Sequence, residues 1–455
     1  MSRLEQFYLR LPLALQNTVV SLEGFRINRR RYGGSFQIVN QLVQTQGTMQ
    51  DTELQALRIK LLKNHLKTAV QSPFWREQFS NYEVCPEASD PFAELKKLPV
   101  LTKEVVKQNV EIIINPTLRR RDFLWRHTSG TTGSGLIFPE ILSTEQFTWA
   151  FWWRYRRWHG LTRQTRCGYF GGRSVVPIES KRPPFWRWNL AAHQLMLSGY
   201  HLSRKTASAY LKALRDYDVQ WLHGYPSILS LLAKYILEDK LRLDLGSLRC
   251  ITTGAENLSE AQRTCITSAF QVPVVQHYGQ AEAVANISEC ELGQMHVDED
   301  FSAVEIELNP KGLDSFCLIG TNWLNPAFPL LRYDTADLVL PSKDVCNCGR
   351  SGRLIKSIDG RKEDFLVLPN GAFIGRLDHI LKDMVNIREA QFLQENLAVV
   401  TVRIVPGSSY NKKDEDLLQE EIRQRLGTEI EVRLEYVDAI PRGPNGKLRL
   451  VVSNL

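Results

Sequence analysis

No stretch of this chain approaches the ~18–20 consecutive apolar residues needed to cross a bilayer. Its start, Met1 to Arg10, has neither the apolar segment nor the small-residue cleavage site of a secretory leader. A spanning or exported protein is therefore not expected; the cytoplasm is. The compositional bias of disordered or fibrous chains is missing too: 43% of residues are hydrophobic, 24% charged, and 10 are tryptophan, so ample apolar area exists for a core. A net charge of +7 and a pI near 8.9 favour anionic company, a preference that nucleotides, acidic lipid headgroups and nucleic acids all satisfy.

At 455 residues the chain outgrows a single core, which stops growing near roughly 250–300 residues, so one large and one smaller domain are expected. Residues 1 to about 115 read as a helical lead-in, with Leu54, Leu57, Leu61, Leu62 and Leu66 at three- and four-residue steps until Pro73. From Lys205 onward strand and helix alternate. The helical stretch Tyr210 to Tyr217, the apolar run Val219 to His223, a helix opened by Pro226 or Ser227, the run Leu248 to Thr253, a helix from Ser259 and the run Val272 to Val275 follow in turn. This alternation predicts an α/β fold with a mainly parallel sheet and with ligands at the carboxyl ends of its strands. Polar residues 361–364 read as a hinge between a body of residues 1–360 and a small α+β domain of residues 365–455. That tail shows a hairpin at Pro369-Asn370-Gly371, a strand over Ala398 to Val405, a helix carrying Leu417, Leu418, Ile422 and Leu426, and a strand from Ile430 to Tyr436.

The segment Thr128-Ser129-Gly130-Thr131-Thr132-Gly133-Ser134-Gly135 packs glycines and hydroxyl side chains into one loop, offering backbone N–H groups and neutral donors to phosphate oxygens. It lacks the Gly-Lys-Ser/Thr of an NTPase P-loop, because Leu136 and Ile137 follow Gly135. A flexible surface turn has the same composition. Downstream, in order, lie Thr253-Gly254-Ala255-Glu256, Tyr278-Gly279-Gln280-Ala281-Glu282, Tyr333-Asp334-Thr335-Ala336-Asp337, Gly360-Arg361 and Pro441-Arg442-Gly443-Pro444-Asn445-Gly446-Lys447. These six ordered segments together resemble the adenylate-forming superfamily of acyl-CoA synthetases, peptide-synthetase adenylation domains and luciferases, and within it the phenylacetate-CoA ligase family. Leu11-Pro12 to Gly33, Phe185 to His201 and Gly224-Tyr225-Pro226-Ser227 are similar to the branch called CapK, associated with capsular and other surface polysaccharides.

The resemblance implies a large multi-layer α/β N-terminal domain, a small mobile C-terminal domain, and ATP-dependent activation of a carboxylic acid with release of AMP. Thr128, Ser129, Gly130, Thr131, Thr132 and Gly133 would hold phosphates. Tyr278, followed by Gly279, would stack on adenine, and the backbone of Gly254, Ala255 and Glu256 would line the base. Glu282 would bind Mg²⁺, a hard cation that prefers carboxylate oxygen. Asp337 would accept hydrogen bonds from the ribose hydroxyls and Arg361 would donate to ribose or phosphate. Lys447 would catalyse adenylation from the mobile domain, with the chain pivoting near Glu363. Each has a plainer reading: a buried strand-end tyrosine, a solvated acid, a surface ion pair, a loose terminal lysine. Leu136, where many relatives carry lysine, and Ala281, where many carry threonine, depart from the pattern and weaken the expected phosphate contacts.

Cys290-x5-His296 and Cys346-x-Cys348-Gly349 supply three thiols and an imidazole, the ligand set of a closed tetrahedral zinc site; reduced thiols beside an ordinary histidine are the alternative. The Cys-x-Cys-Gly piece resembles phenylacetate-ligase relatives, some of which bind structural zinc there. Cys85, Cys167, Cys250, Cys265 and Cys317 stand singly and read as inert core thiols. Arg29-Arg30-Arg31, Arg119-Arg120-Arg121 and Trp152 to Trp158 form the main competing reading, a nucleic-acid surface, although no reader motif accompanies them and no nucleic acid is expected. Arg29 to Arg31 beside the apolar Leu9 to Leu22 region would suit peripheral contact with an anionic inner membrane face. The expected partners are a small or sugar-linked carboxylic acid and an acceptor, either coenzyme A or an amine or hydroxyl. A catalytically degenerate nucleotide-binding relative is the remaining alternative. Walls for the acyl group are sought at Gly168 to Gly172, His201 and Tyr225.

Overall fold

The computed structural model describes residues 7–455 apart from 129–134, 172–174, 243–244, 257, 259, 309–315, 360–365, 372, 375–376, 378–379, 382–383, 385, 408, 439, 442–449 and 454. The lead-in is helical: α1 (Leu13–Tyr32), α2 (Phe36–Gln46), α3 (Asp51–Ala69), α4 (Pro73–Asn81), α5 (Pro91–Lys97), α6 (Lys103–Gln108) and α7 (Val110–Ile113). Pro73 does more than stop α3. It opens α4 at its first turn, where its missing N–H costs nothing. Asp90 and Thr102 cap α5 and α6 by accepting from the backbone N–H groups of Phe92, Ala93 and Val105. Leu62, Leu66 and Trp75 pack this layer onto Phe138, Phe328 and Tyr333.

Helix α1 is inverted in polarity. The side facing the sheet is polar or small: Asn17 accepts from the Trp188 N–H (3.0 Å), Asn28 donates to the Ala191 carbonyl (2.6 Å), Gln16 accepts from Arg187 (2.5 Å), and Gly24 lies where any Cβ would strike Asn189. Leu15, Val19, Leu22 and Phe25 face outward, Leu22 and Phe25 being 65% and 62% exposed.

A hairpin follows, β1 (Leu124–His127) with β2 (Ile137–Glu140), then α8 (Leu142–Trp158), β3 (Cys167–Gly171), β4 (Trp186–Asn189), β5 (Gln194–Ser198), α9 (Ala207–Asp216), β6 (Trp221–Gly224), α10 (Pro226–Glu238), β7 (Cys250–Gly254), α11 (Glu260–Phe270) and β8 (Val274–Gly279). The antiparallel strands β9 (Asn286–Glu289), β10 (Met295–Val297), β11 (Ala303–Leu308), β12 (Phe316–Thr321), β13 (Tyr333–Pro341) and β14 (Leu354–Asp359) complete the body. One 12-stranded sheet results, in the order β11-β12-β13-β14-β10-β9-β8-β7-β6-β3-β5-β4. The alternating βα units do form its parallel part, β8-β7-β6-β3-β5. The expectation of a mainly parallel sheet fails for the rest: β4 pairs antiparallel with β5, and the segments after Gly279, with no crossover helix between them among the described residues, pair antiparallel as well.

Residues 366–453 build a separate layer: the hairpin β15 (Leu366–Val367) with β16 (Phe373–Ile374), then β17 (Ile387–Asn396), β18 (Val399–Pro406), α12 (Lys412–Leu426), β19 (Glu431–Tyr436) and β20 (Val451–Ser453), the last four strands ordered β19-β18-β17-β20. They enclose their own core, with Phe392, Val402, Leu418 and Ile422 fully buried. This layer touches the body where the Tyr200 hydroxyl donates to the Leu426 carbonyl (3.1 Å). Gly427 follows in the left-handed region (φ 81°), and a Cβ there would collide with the Tyr200 oxygen.

The structure removes the nucleic-acid reading of the Trp152–Trp158 run. The run lies on α8, with Trp153 and Tyr155 buried and Arg154 buried between Asp298 (2.8 Å) and Asp300 (2.6 Å). Arg30 and Arg31 pair with Glu145, and Arg119 and Arg120 with Asp122 and Glu111. Cys85 is another correction. It is exposed in the turn after α4, whereas burial pushes the Cys167 and Cys250 thiols up to about 12, as inert core thiols require.

Candidate functional site

Four of the parallel strands end in glycine, namely Gly171, Gly224, Gly254 and Gly279, so the carboxyl rim of the sheet is built for close backbone approach. Three of the sequence motifs converge there. Strands β7 and β8 pair with Gly254 opposite His277, which sets Gly254-Ala255-Glu256 beside Tyr278-Gly279. Tyr278 points to the other side of β8, where its hydroxyl donates to Asp337 Oδ2 (2.7 Å). Burial, then the negative charge of Asp337, hold that phenol well above its ordinary pKa, so it stays a donor.

Asp337 reaches Tyr278 because β13 is bulged. Between Ile319↔Asp334 and Cys317↔Leu338 four residues of β13 span two of β12, and Ala336 lies in the left-handed region (φ 59°). Ala255 (φ 66°), Ala283 (φ 54°) and Arg332 (φ 52°) show the same strain in or beside the other motifs, a concentration typical of sites whose backbone is held for a task. Gln280 donates to both the Tyr278 hydroxyl and Asp337, and its own Oε1 is buried without a hydrogen-bond partner among the described residues, which leaves an acceptor to be satisfied beside these two motifs.

Glu282 is 9% exposed. Its Oε1 receives only a long contact from the Tyr333 hydroxyl (3.4 Å), and among the described residues no cation pairs with it. A buried carboxylate lacking a positive partner fits a divalent cation. Thr128 closes the base of the Gly-rich loop: its N–H donates to the Leu136 carbonyl (2.9 Å) and its Oγ1 accepts from the Leu136 N–H (3.0 Å). The Leu136 side chain is 1% exposed in the core cluster of Phe138 and Phe328, so this position faces apolar packing and the leucine is explained by it. Ser129, Gly130, Thr131, Thr132, Gly133, Arg361, Glu363 and Lys447 lie outside the described residues.

The metal-type residues do meet. All ligand atoms of Cys290, His296, Cys346 and Cys348 lie within 4.8 Å of one another, with Cys290 Sγ 3.7 Å from Cys346 Sγ and Cys348 Sγ 3.3 Å from His296 Nε2. A tetrahedron with Zn–S of about 2.3 Å and Zn–N of about 2.0 Å has edges of roughly 3.8 Å (S–S) and 3.5 Å (S–N), close to these. His296 Nδ1 faces the Ser351 carbonyl (3.4 Å), the orientation that presents Nε2 to a metal. The strand pairs β9-β10 and β10-β14 bring the two halves of the sequence pattern together.

The positions sought as acyl-pocket walls do not share one face. A Cβ at Gly168 would strike Leu222 on the core side, and His201 is buried against Phe185 (centroids 4.8 Å) with Nδ1 on Ser198 Oγ (2.8 Å).

Two family models match the chain, "AMP-binding enzyme" over residues 188–304 and "CapK C-terminal domain" over residues 366–454. Protein CapK of Staphylococcus aureus is 27% identical over 99% of this chain and 100% of that protein. Phenylacetate-coenzyme A ligase of Thermus thermophilus is 24% identical over 52% of this chain and 61% of that one. Among solved structures, 2-hydroxyisobutyryl-CoA ligase in its thioesterification state superposes with a TM-score of 0.57 at 18% identity, covering 90% of this chain and 91% of that one, a likeness of fold. The architecture and its converging motifs define an adenylate-forming protein of the AMP-binding superfamily. Within it, the domain match and the likeness to protein CapK support a CapK-like, phenylacetate-CoA ligase-like assignment.

Proposed function

We propose that the protein uses ATP to activate a carboxylic acid as its acyl-adenylate and passes the acyl group to coenzyme A or to an amine or hydroxyl acceptor. The observation that carries this reading is the Tyr278–Asp337 contact on the glycine-lined rim, which joins a ring face for adenine to a carboxylate for the ribose hydroxyls. A carboxylate oxygen of the acid attacks the α-phosphorus of ATP, the acyl–phosphate bond forms, and the bond to pyrophosphate breaks. The acceptor then attacks the acyl carbon and AMP leaves. Mg²⁺ at Glu282 would neutralise phosphate charge. Lys447, Arg361 and the hydroxyls and N–H groups of residues 128–133 would hold the reacting phosphate, with closure of residues 365–455 about Glu363 bringing Lys447 in. Likeness to phenylacetate-coenzyme A ligases supports the thioester ending, and the resemblance to the CapK branch supports a sugar-linked acid of surface polysaccharide. Zinc held by Cys290, His296, Cys346 and Cys348 would be structural, since four protein ligands leave no open position.

The test is acid-dependent exchange of labelled pyrophosphate into ATP across aryl, fatty, amino and uronic acids, then AMP release with and without coenzyme A. One acid should support exchange, and Lys447→Ala should lower it by about 10²–10³-fold. Absence of exchange with every acid, despite nucleotide binding, would identify a catalytically idle relative.

Peripheral membrane contact is supported by the outward apolar face of α1, flanked by the exposed Arg10, Arg26 and Arg29. Among the described residues no helix is long and apolar enough to cross a membrane. Flotation with phosphatidylcholine vesicles containing phosphatidylglycerol should occur, weaken with salt, and be lost in a Leu22→Ser/Phe25→Ser variant; no flotation at low salt would rule the contact out.

A further inference from the structure

The parallel strands carry a second set of side chains, on the face opposite Tyr278, that the nucleotide rim does not use. In register, Cys167, Trp221 and Cys250 form one row beneath α8, and Tyr169, His223 and Thr252 the next. Tyr169 stacks on His223 (centroids 5.6 Å, interplanar 9°), while His277 is held by Asn286 (2.8 Å) and walled by Trp152 and Tyr155. A Cβ at Gly254 would meet the His277 carbonyl at 3.3 Å and His223 Cε1 at 3.9 Å, so Gly254 on the rim lies directly against this row.

Arg156 of α8 lies at the deep end. Its guanidinium carbon is 4.8 Å from the ring centroid of Trp153, 5.2 Å from Trp221 and 5.6 Å from Trp149. Among the described residues it has no ion pair or hydrogen bond, and the groups it feels electrostatically are Tyr32, Cys167, Tyr155 and Tyr169, with no carboxylate. Arg154, two residues earlier on the same helix, is matched by Asp298 and Asp300. Arg156 is half-buried, and a cation ringed by aromatic side chains with no counter-charge among the described residues is suited to an anion supplied from outside. Burial, and then the charge of Arg156, lower both His223 and His277 to about 3, so the imidazoles are neutral near pH 7 and Arg156 is the cation of the cluster.

We propose that Arg156 receives a second anionic group of the acid substrate, so that the enzyme activates acids carrying two negative charges. The reacting carboxylate sits at the Gly254 rim and the distal anion at Arg156, on the order of 13 Å deeper along four residues of strand. Trp152, Tyr169 and His223 line the way between them. A planar guanidinium binds carboxylate or sulfate in bidentate fashion, and the surrounding rings limit its contact with water and so strengthen the pair.

This proposal rests on the adenylation reading, and its test separates the two. Pyrophosphate exchange is measured with matched acids: adipate against hexanoate, suberate against octanoate, terephthalate against benzoate. The dianionic member should be preferred, and Arg156→Gln should reduce that preference by about 100-fold, with Arg156→Lys keeping part of it. Equal preference ratios in wild type and Arg156→Gln, or a wild-type preference for the monoanions, would overturn the proposal while leaving adenylation standing. Thermal stabilisation by the same acids without ATP gives an independent readout, and far-UV circular dichroism checks that the variants fold. Stabilisation by dianions that Arg156→Gln abolishes, without any exchange, would uphold the anion site and reject adenylation. Neither exchange nor stabilisation would overturn the site.

Discussion

Replacing Asp337 by alanine should lower kcat/KM for ATP in pyrophosphate exchange by about 10²–10⁴-fold. Two hydrogen bonds to a charged acceptor, each contributing roughly 1.5–3 kcal/mol, would be lost from the ribose. The Tyr278 hydroxyl would at the same time lose its acceptor at 2.7 Å. Tyr278→Phe separates the two effects, because it removes the hydroxyl but keeps both the ring and the carboxylate. Its loss should be nearer tenfold, the cost of one hydrogen bond. Equal losses in the two variants would mean that Asp337 serves Tyr278 and not the nucleotide. Direct nucleotide binding, measured by calorimetry, should follow the same order.

Removal of the metal is the second large effect expected. Purified protein should carry one zinc per chain by elemental analysis, and Cys290→Ser or Cys348→Ser should release it. Since β9, β10 and β14 are joined at the cluster, loss of the ion should lower Tm on the order of 10 °C, at about 2–4 °C per kcal/mol for a domain of about 150–250 residues. A Cys265→Ser variant, at a thiol outside the cluster, should keep both zinc and Tm. Unchanged zinc in Cys348→Ser would reject the site. Without a metal the thiols are unlike: burial pushes Cys290 up to about 12, while Cys348, though partly buried, is lowered by the Arg350 backbone, Cys346 and the Arg350 side chain. Metal uptake must therefore release protons, and affinity should fall as pH is lowered.

Much of the layout was legible along the chain because it depends on local chemistry. Pro226 at the first turn of α10, the Asn370-Gly371 hairpin and the apolar runs that became β6, β7 and β8 are set by backbone preferences and by alternation of neighbours. Cys290, His296, Cys346 and Cys348 could be grouped by residue type before any contact was known, since few other roles unite thiols and imidazole at such spacing. The Trp152–Trp158 run left a nucleic-acid surface open as a competing reading. Carboxylates more than a hundred residues away, Asp298 and Asp300, make Arg154 an interior residue, which the run by itself could not show. The antiparallel half of the sheet was also missed, because short strands such as the three residues Met295–Val297 offer too few alternating positions to be recognised along the chain.

By itself, then, the sequence determined the family, the order of the nucleotide motifs and the metal-type ligand set, all of which are carried by residue type and spacing. The tertiary structure alone decided that β13 bulges to carry Asp337 to Tyr278, that Leu136 belongs to the core, and that Arg154 is paired while Arg156, among the described residues, is not. The two arginines are chemically identical in the sequence. They differ only in which strands fold against each face of α8, and the free energy of a buried charge depends on its neighbours in space.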